Sequence, residues 1–333
     1  MKLKYVVSAF LCMCFAGNDV WANDPGVRFI QSRGKVVCGT DLDPKTYAHK
    51  DEDGVWQGID ADICRMFASA IIGRDDNFEM KHIDADKASE ALRNGTVDVM
   101  LGATPYSASV ELNKKYTPAA LMYFDRQMFL TFDVGANSLE AYKGKKVCAV
   151  TGTDDLNNVQ EYSAKYGLDL NILFFPSERT ARSAFLLKRC DLLTGNGVAL
   201  EGVLKKTYTE TAKLKLIPET IAVKPIYVYV DNKNETLKLT LKWIVNALTL
   251  AEDKDINSAN VELFVVDKNS SIRNLLGEDD KIWKRLAVYP TWLKTYIKEH
   301  GNYRDFIDKN LKEPLKENRL YKDGGAITPF SFL

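Results

Sequence analysis

Two stretches of this chain carry the same strand–helix–strand–helix–strand rhythm, and each is followed by an extended apolar run. In the first stretch, Lys35–Gly39 is β-rich, Asp53-Gly54 marks a turn, and Asp60–Ile72 predicts a helix with an aspartate cap. Phe78–Ile83 then predicts a strand, Ala85–Arg93 a helix ending at Asn94-Gly95, and Asp98–Ala103 a third strand. The second stretch predicts strands at Lys146–Val150, Ile172–Pro176 and Asp191–Thr194, with helices at Asp154–Tyr166 and Glu178–Lys188 between them. Such alternation builds an open, mostly parallel sheet flanked by helices. The extended runs are Gln127–Phe132 and Ile226–Val230; a helix follows over Asn234–Glu252. Read as hinge crossings, they take the chain out of one lobe, through a second, and back. The expected division is 23–126 plus 226–333 for lobe 1 and 127–225 for the inserted lobe 2. Two open α/β lobes joined this way place a ligand crevice at strand C-termini.

The first 22 residues read as a removable leader. Lys2 and Lys4 form a basic start, and Tyr5–Ala16 is apolar but too short for the roughly 20 residues that span a bilayer. Val20-Trp21-Ala22 offers a cleavage site, so the mature chain is expected to begin near Asn23, in an exported compartment. Cys12 and Cys14 leave with the leader. The remaining four, Cys38, Cys64, Cys148 and Cys190, suit disulfides in such a compartment. Sequence alone allows three pairings. Cys38–Cys64 and Cys148–Cys190 are favoured, because each pair lies within one α/β stretch.

Charge and motifs narrow the function. Lys+Arg and Asp+Glu both number 45, which removes any case for nucleic-acid binding through bulk charge. His49, His82 and His300 are scattered and no CxxC occurs, so no metal is expected. Gly195–Leu200 (GNGVAL) starts like a dinucleotide fingerprint but lacks its third glycine. No GxSxG, HExxH or P-loop is present, so no cofactor and no catalytic residue is assigned.

Several segments carry a resemblance: Cys38-Gly39, Trp56–Asp60 (WQGID), Gly95–Leu101 (GTVDVML), Tyr123-Phe124-Asp125, Arg189-Cys190-Asp191, Lys242-Trp243, Leu275-Leu276-Gly277 and Gly301-Asn302-Tyr303. Together they resemble the general L-amino-acid-binding subunits of ABC importers, within the family 3 solute-binding proteins. The resemblance covers nearly the whole mature chain. It implies a two-lobed periplasmic binding protein fold of type II, and a monomer that closes on a small polar solute and docks on an integral-membrane permease.

The resemblance also implies a ligand site, and here this chain departs from the pattern. An arginine that clamps the ligand carboxylate in relatives is matched by Val110; Thr104 and Ser107 nearby keep hydroxyls. A Gly-Thr-Thr anion turn becomes Gly152-Thr153-Asp154, with Asp155 next. An aspartate that holds the ligand ammonium is matched by Asn196, and a stacking aromatic by Tyr47. Arg126 could stand in as carboxylate anchor or serve an interlobe ion pair; the acidic pair could be helix caps. Losing one member of a buried charge pair costs ~2–5 kcal/mol. An ordinary α-amino acid is therefore expected to bind poorly, and an amine-bearing or neutral solute better. The alternatives are an adaptor that has lost solute binding, and a cyclohexadienyl-dehydratase-like enzyme using Asp154 as acid or base.

Overall fold

The computed structural model describes residues 25–40, 47–102, 108–113, 116–135, 137–207, 213–266, 268–278 and 281–332. The leader and its cleavage site lie outside them. Helix α1 (Pro25–Arg33) leads into β1 (Val36–Thr40), which is buried throughout. The short strands β2 (His49–Lys50) and β3 (Trp56–Gln57) pair around the Asp53-Gly54 turn, where Asp51 accepts from the Asp53 and Val55 amides. Helix α2 (Ile59–Ile72) is buried on nearly every face, as its apolar composition requires.

The cap of α2 differs from the sequence expectation. The helix starts from Gly58, at φ +107° and ψ 164°, a conformation nearly reserved for glycine. Asp60 sits inside the first turn, buried, and accepts from Thr40 Oγ1 at 2.8 Å. Gly73 then closes the helix in the left-handed region. Next come β4 (Phe78–His82), a 3₁₀ turn at Ala85–Lys87 that takes the front of the expected helix, α3 (Ala88–Arg93), β5 (Val99–Leu101) and α4 (Ala108–Asn113). β1 pairs in parallel with both β4 and β5.

Strand β6 (Tyr116–Thr131) carries the chain into the second unit: β7 (Lys146–Val150), α5 (Asp154–Tyr166), β8 (Asn171–Phe175), α6 (Glu178–Leu186), β9 (Leu192–Asn196) and α7 (Gly197–Thr207). β7 pairs in parallel with β8 and β9, repeating the first unit. Strand β10 (Lys215–Asp231) returns, and α8 (Glu235–Asp253) opens the helical C-terminal part. The eight-stranded sheet runs β4-β1-β5-β10-β6-β9-β7-β8. β6 and β10 lie antiparallel at its centre, and they are the two crossings between lobes. Both are far longer than their apolar runs, at 16 and 17 residues. Paired central strands tolerate polar residues such as Asp125 and Lys224 that broke the pattern in sequence.

Core packing follows the same division. The fully buried members of the large clusters around α2 and α8, and around β5 and α3, lie between Val27 and Tyr123 and between Ile226 and Phe332, and the half-buried Val198 and Ala199 of α7 pack against the first of them. The clusters around β7 and β9 draw only on residues from Met128 to Ile217. Each lobe holds one disulfide. Cys38–Cys64 joins β1 to α2, and Cys148–Cys190 joins β7 to the turn before β9. The crossings themselves are irregular. Their register shifts between Ile217 and Ala222, at Ile226/Tyr227 and at Val228/Tyr229, and Pro225 stands opposite Phe124 without an N–H to give. The Asn318 amide takes on both Phe124 groups: its oxygen accepts from the Phe124 N–H at 2.6 Å and its nitrogen donates to the carbonyl at 2.8 Å.

Candidate functional site

A cavity of ≈ 60 Å³ lies at the C-terminal ends of the second lobe's parallel strands. Val150 closes β7 there, Thr194 and Gly195 come from the end of β9, and Glu178 and Arg182 face it from α6. Tyr47, from the first lobe, completes the lining. It is the chemistry of this wall, with one cation, two carboxylates, hydroxyls and an aromatic ring around an apolar floor, that suits a small polar organic molecule.

The helices supply the polar groups by position. Thr153 precedes α5 with extended backbone, and its hydroxyl donates to the Val150 carbonyl at 2.8 Å. Asp155 is the second residue of α5, close to the helix N-terminus that favours a carboxylate. On α6, Glu178 and Arg182 are one turn apart and therefore share a face. Ser177 and Thr180 form a capping box that fixes the start of that helix.

Beneath the cavity runs a buried polar network anchored on the crossings. Lys224 of β10 donates from Nζ to Asn196 Oδ1 at 2.5 Å and forms an ion pair with Asp155. Gln127 of β6 donates to the Asp155 carbonyl at 2.9 Å and to Thr194 Oγ1 at 3.0 Å, and accepts from Asn158 Nδ2 at 2.9 Å. Thr194 in turn donates to the Met128 carbonyl at 3.1 Å. Enclosing a lysine side chain in protein is costly without such a partner set.

Asp125 lies next to this network, opposite Lys224 in the strand register. It is buried and accepts from the Arg126 N–H at 2.7 Å and more distantly from the Val198 N–H at 3.4 Å, at the start of α7. Burial pushes its carboxyl up to about 6, against the pull of those bonds and of Lys224.

The residues singled out in the sequence separate clearly. Tyr47 and Thr153 line the cavity. Asn196 is buried at its edge, with its amide oxygen engaged by Lys224. Asp154 is exposed at the first position of α5 and does not line the cavity. Arg126 lies elsewhere: its guanidinium donates to the Glu313 carbonyl, and it lines a separate cavity of ≈ 20 Å³ with Glu201 and the C-terminal segment. Thr104 and Ser107 lie outside the described residues, and Val110 falls in α4 with its side chain likewise outside them. Sequence reasoning missed Lys224, Glu178 and Arg182. The last two carried a signal, a charged pair at i, i+4 beside the inward Ala181 and Phe185 of the same helix.

Comparisons with known proteins agree with this architecture. The chain is 27% identical over 334 residues to the general L-amino acid-binding periplasmic protein AapJ of Rhizobium johnstonii, covering 98% of both chains. It is 25% identical over 286 residues to the glutamate/glutamine/aspartate/asparagine-binding protein BztA of Rhodobacter capsulatus, covering 85% of this chain and 84% of that one. A solved ABC transporter periplasmic binding protein from Brucella ovis, with glutathione bound, superposes with a TM-score of 0.83 at 27% identity, covering 92% of this chain and 99% of that one. No family model matches the chain.

Proposed function

We propose that this chain is the periplasmic solute-binding receptor of an ABC-type importer, capturing a small polar, amine-bearing molecule between two lobes and delivering it to a membrane permease. The observation that carries this is the cavity at the second lobe's strand ends, closed over by Tyr47 from the first lobe. A wall shared between lobes is the arrangement that lets ligand contacts stabilise the closed form. The lobe boundaries are taken at 126/127 and 225/226, where β6 and β10 cross. Among the described residues no helix is long and apolar enough to cross a membrane. Relatives named for binding, over most of the chain, favour a receptor over an enzyme.

Ordinary α-amino acids are expected to be second-rate ligands. Lys224 holds Asn196 and Asp155, so an ammonium arriving at Asn196 meets a like charge. Larger amine-bearing solutes are better candidates, and the glutathione of the Brucella ovis protein sets a size to try. The test is a thermal-shift screen of the chain from residue 23 with the standard L-amino acids, di- and tripeptides, and glutathione. A ligand at a hundred times its Kd adds about 2.7 kcal/mol, which raises Tm by roughly 4 °C in a chain of this size. A screen in which no compound moves Tm at millimolar concentration refutes the receptor assignment and leaves the adaptor.

A further inference from the structure

Helix α6 brings two opposite charges to the second-lobe wall of the cavity on one fixed support. Glu178 and Arg182 both line the cavity, and the small, buried Ala181 between them lines it as well. The orientation of the helix is set by its other contacts. Ala181, Ala184 and Phe185 are buried in the core of the lobe, and Phe185 stacks on Phe132 with ring centroids 4.7 Å apart. The Ser177–Thr180 capping box fixes the first turn. Of the other polar groups at the cavity, Asp155 forms an ion pair with Lys224, and the Asn196 amide oxygen accepts from the same lysine. Among the described residues that line the cavity, Arg182 is therefore the one cation, and Glu178 the one carboxylate not paired with Lys224.

Residues four apart on a helix hold their Cβ atoms about 5–6 Å from each other. Charged heads that converge satisfy each other, and such a pair stabilises a helix only slightly. Heads directed at a solute stand about as far apart as their Cβ atoms. A guanidinium receives a carboxylate through parallel N–H bonds, and a carboxylate receives an ammonium. A molecule that satisfies both therefore carries its two charges about 5–6 Å apart. The ammonium and carboxylate of an α-amino acid share one carbon and sit closer than that, whereas those of a dipeptide or an ω-amino acid are separated by several bonds. Val150, Leu193, Leu200 and Val203 make much of the remaining lining apolar, which suits an uncharged span between the two ends. We propose that Glu178 and Arg182 form a dipolar subsite that selects solutes with well-separated amine and carboxylate ends, of the dipeptide or ω-amino acid class, over α-amino acids. This rests on the receptor function argued above and names its solute class.

The probes are L-alanyl-L-alanine, its N-acetyl derivative and its C-terminal amide, with γ-aminobutyrate set against its isomer α-aminobutyrate. Binding is measured by calorimetry on the wild-type chain and on Glu178→Gln, Arg182→Gln and Arg182→Lys. The wild type is expected to favour the free dipeptide over each blocked form, and the γ isomer over the α, by about tenfold or more. Glu178→Gln is expected to narrow the preference for the free amine by about fivefold and to leave the preference for the free carboxylate nearly unchanged. Arg182→Gln should do the reverse, and Arg182→Lys should restore much of the carboxylate preference because the charge returns. Each ratio is taken within one protein, so a change in stability does not enter it. Equal affinity within the pairs, ratios untouched by the substitutions, or both ratios moving together in either variant overturns the subsite and leaves the receptor standing. So does a thermal-shift screen in which other solutes raise Tm while none of these probes binds. If nothing in the screen or the probe set binds, the receptor function and the subsite fall together.

Discussion

Replacing Lys224 with methionine is the sharpest test of how the crossings hold the floor of the cavity. The lysine and its partner Asp155 expose only 6% and 17% of their side chains. Removing one member of a buried pair typically costs ~3–5 kcal/mol, because the other is left charged without compensation. Two features reduce that here. Asp155 keeps the favourable N-terminus of α5, which offsets up to ~1 kcal/mol, and its partial exposure admits some water. Asn196 adds to the cost by losing the donor that its amide oxygen accepts from. The expected loss is about 2–4 kcal/mol, or a Tm lower by roughly 3–6 °C. Urea unfolding of the wild type, Lys224→Met, Asp155→Asn and the double variant measures it. The double variant should recover to within about 1 kcal/mol of Asp155→Asn alone, since no uncompensated charge remains. A Lys224→Met cost under about 1 kcal/mol, or a double variant as damaged as the sum of the singles, would refute the argument and free Asn196 to act as a ligand group.

Three further predictions follow from local geometry. Gly58→Ala forces a Cβ to within 2.4 Å of the Tyr47 carbonyl oxygen at φ +107°; it should cost about 2–4 kcal/mol and weaken solute binding by displacing Tyr47, and a Tm within a degree of wild type would contradict this. The disulfides close loops with sequence separations of 26 and 42; chain-entropy reasoning gives about 3.5 kcal/mol for Cys38–Cys64 and about 4 kcal/mol for Cys148–Cys190. Double serine variants should show those losses in chemical unfolding, and unchanged midpoints would rule the bonds out as constraints. Asp125 binds its proton more tightly folded, near 6, than at its ordinary 3.8, so its contribution favours the folded state below about pH 4 and is lost as pH rises through 6. That amounts to at most about 3 kcal/mol. Asp125→Asn should flatten the stability profile between pH 4 and 6, and identical profiles would show that burial does not perturb this group.

Much of the fold was legible because α/β units announce themselves through periodicity and turn residues. Lys146–Val150 and Asp154–Tyr166 match the structure to the residue. The cysteine pairing was readable because each pair closes a loop within one unit. The crossings were underestimated, since β6 and β10 include charged residues that interrupt an apolar run but are satisfied by neighbours in space. The same fact hid the candidate site. Lys224 is one of many lysines in the sequence, and only the fold places it against Asp155 and Asn196. The Asp60 cap failed because Gly58 could adopt a backbone conformation that an aspartate start would have forbidden. Arg126 looked like a ligand anchor from its place beside a crossing, but strand alternation sends its side chain to the C-terminal segment.

The most direct test is native mass spectrometry of the chain expressed with its leader and recovered from the periplasm, wild type beside Tyr47→Ala. An exported solute receptor should carry a small, amine-containing adduct of a few hundred daltons that the variant loses. An adduct retained in full by Tyr47→Ala would place capture somewhere other than between Tyr47 and α6.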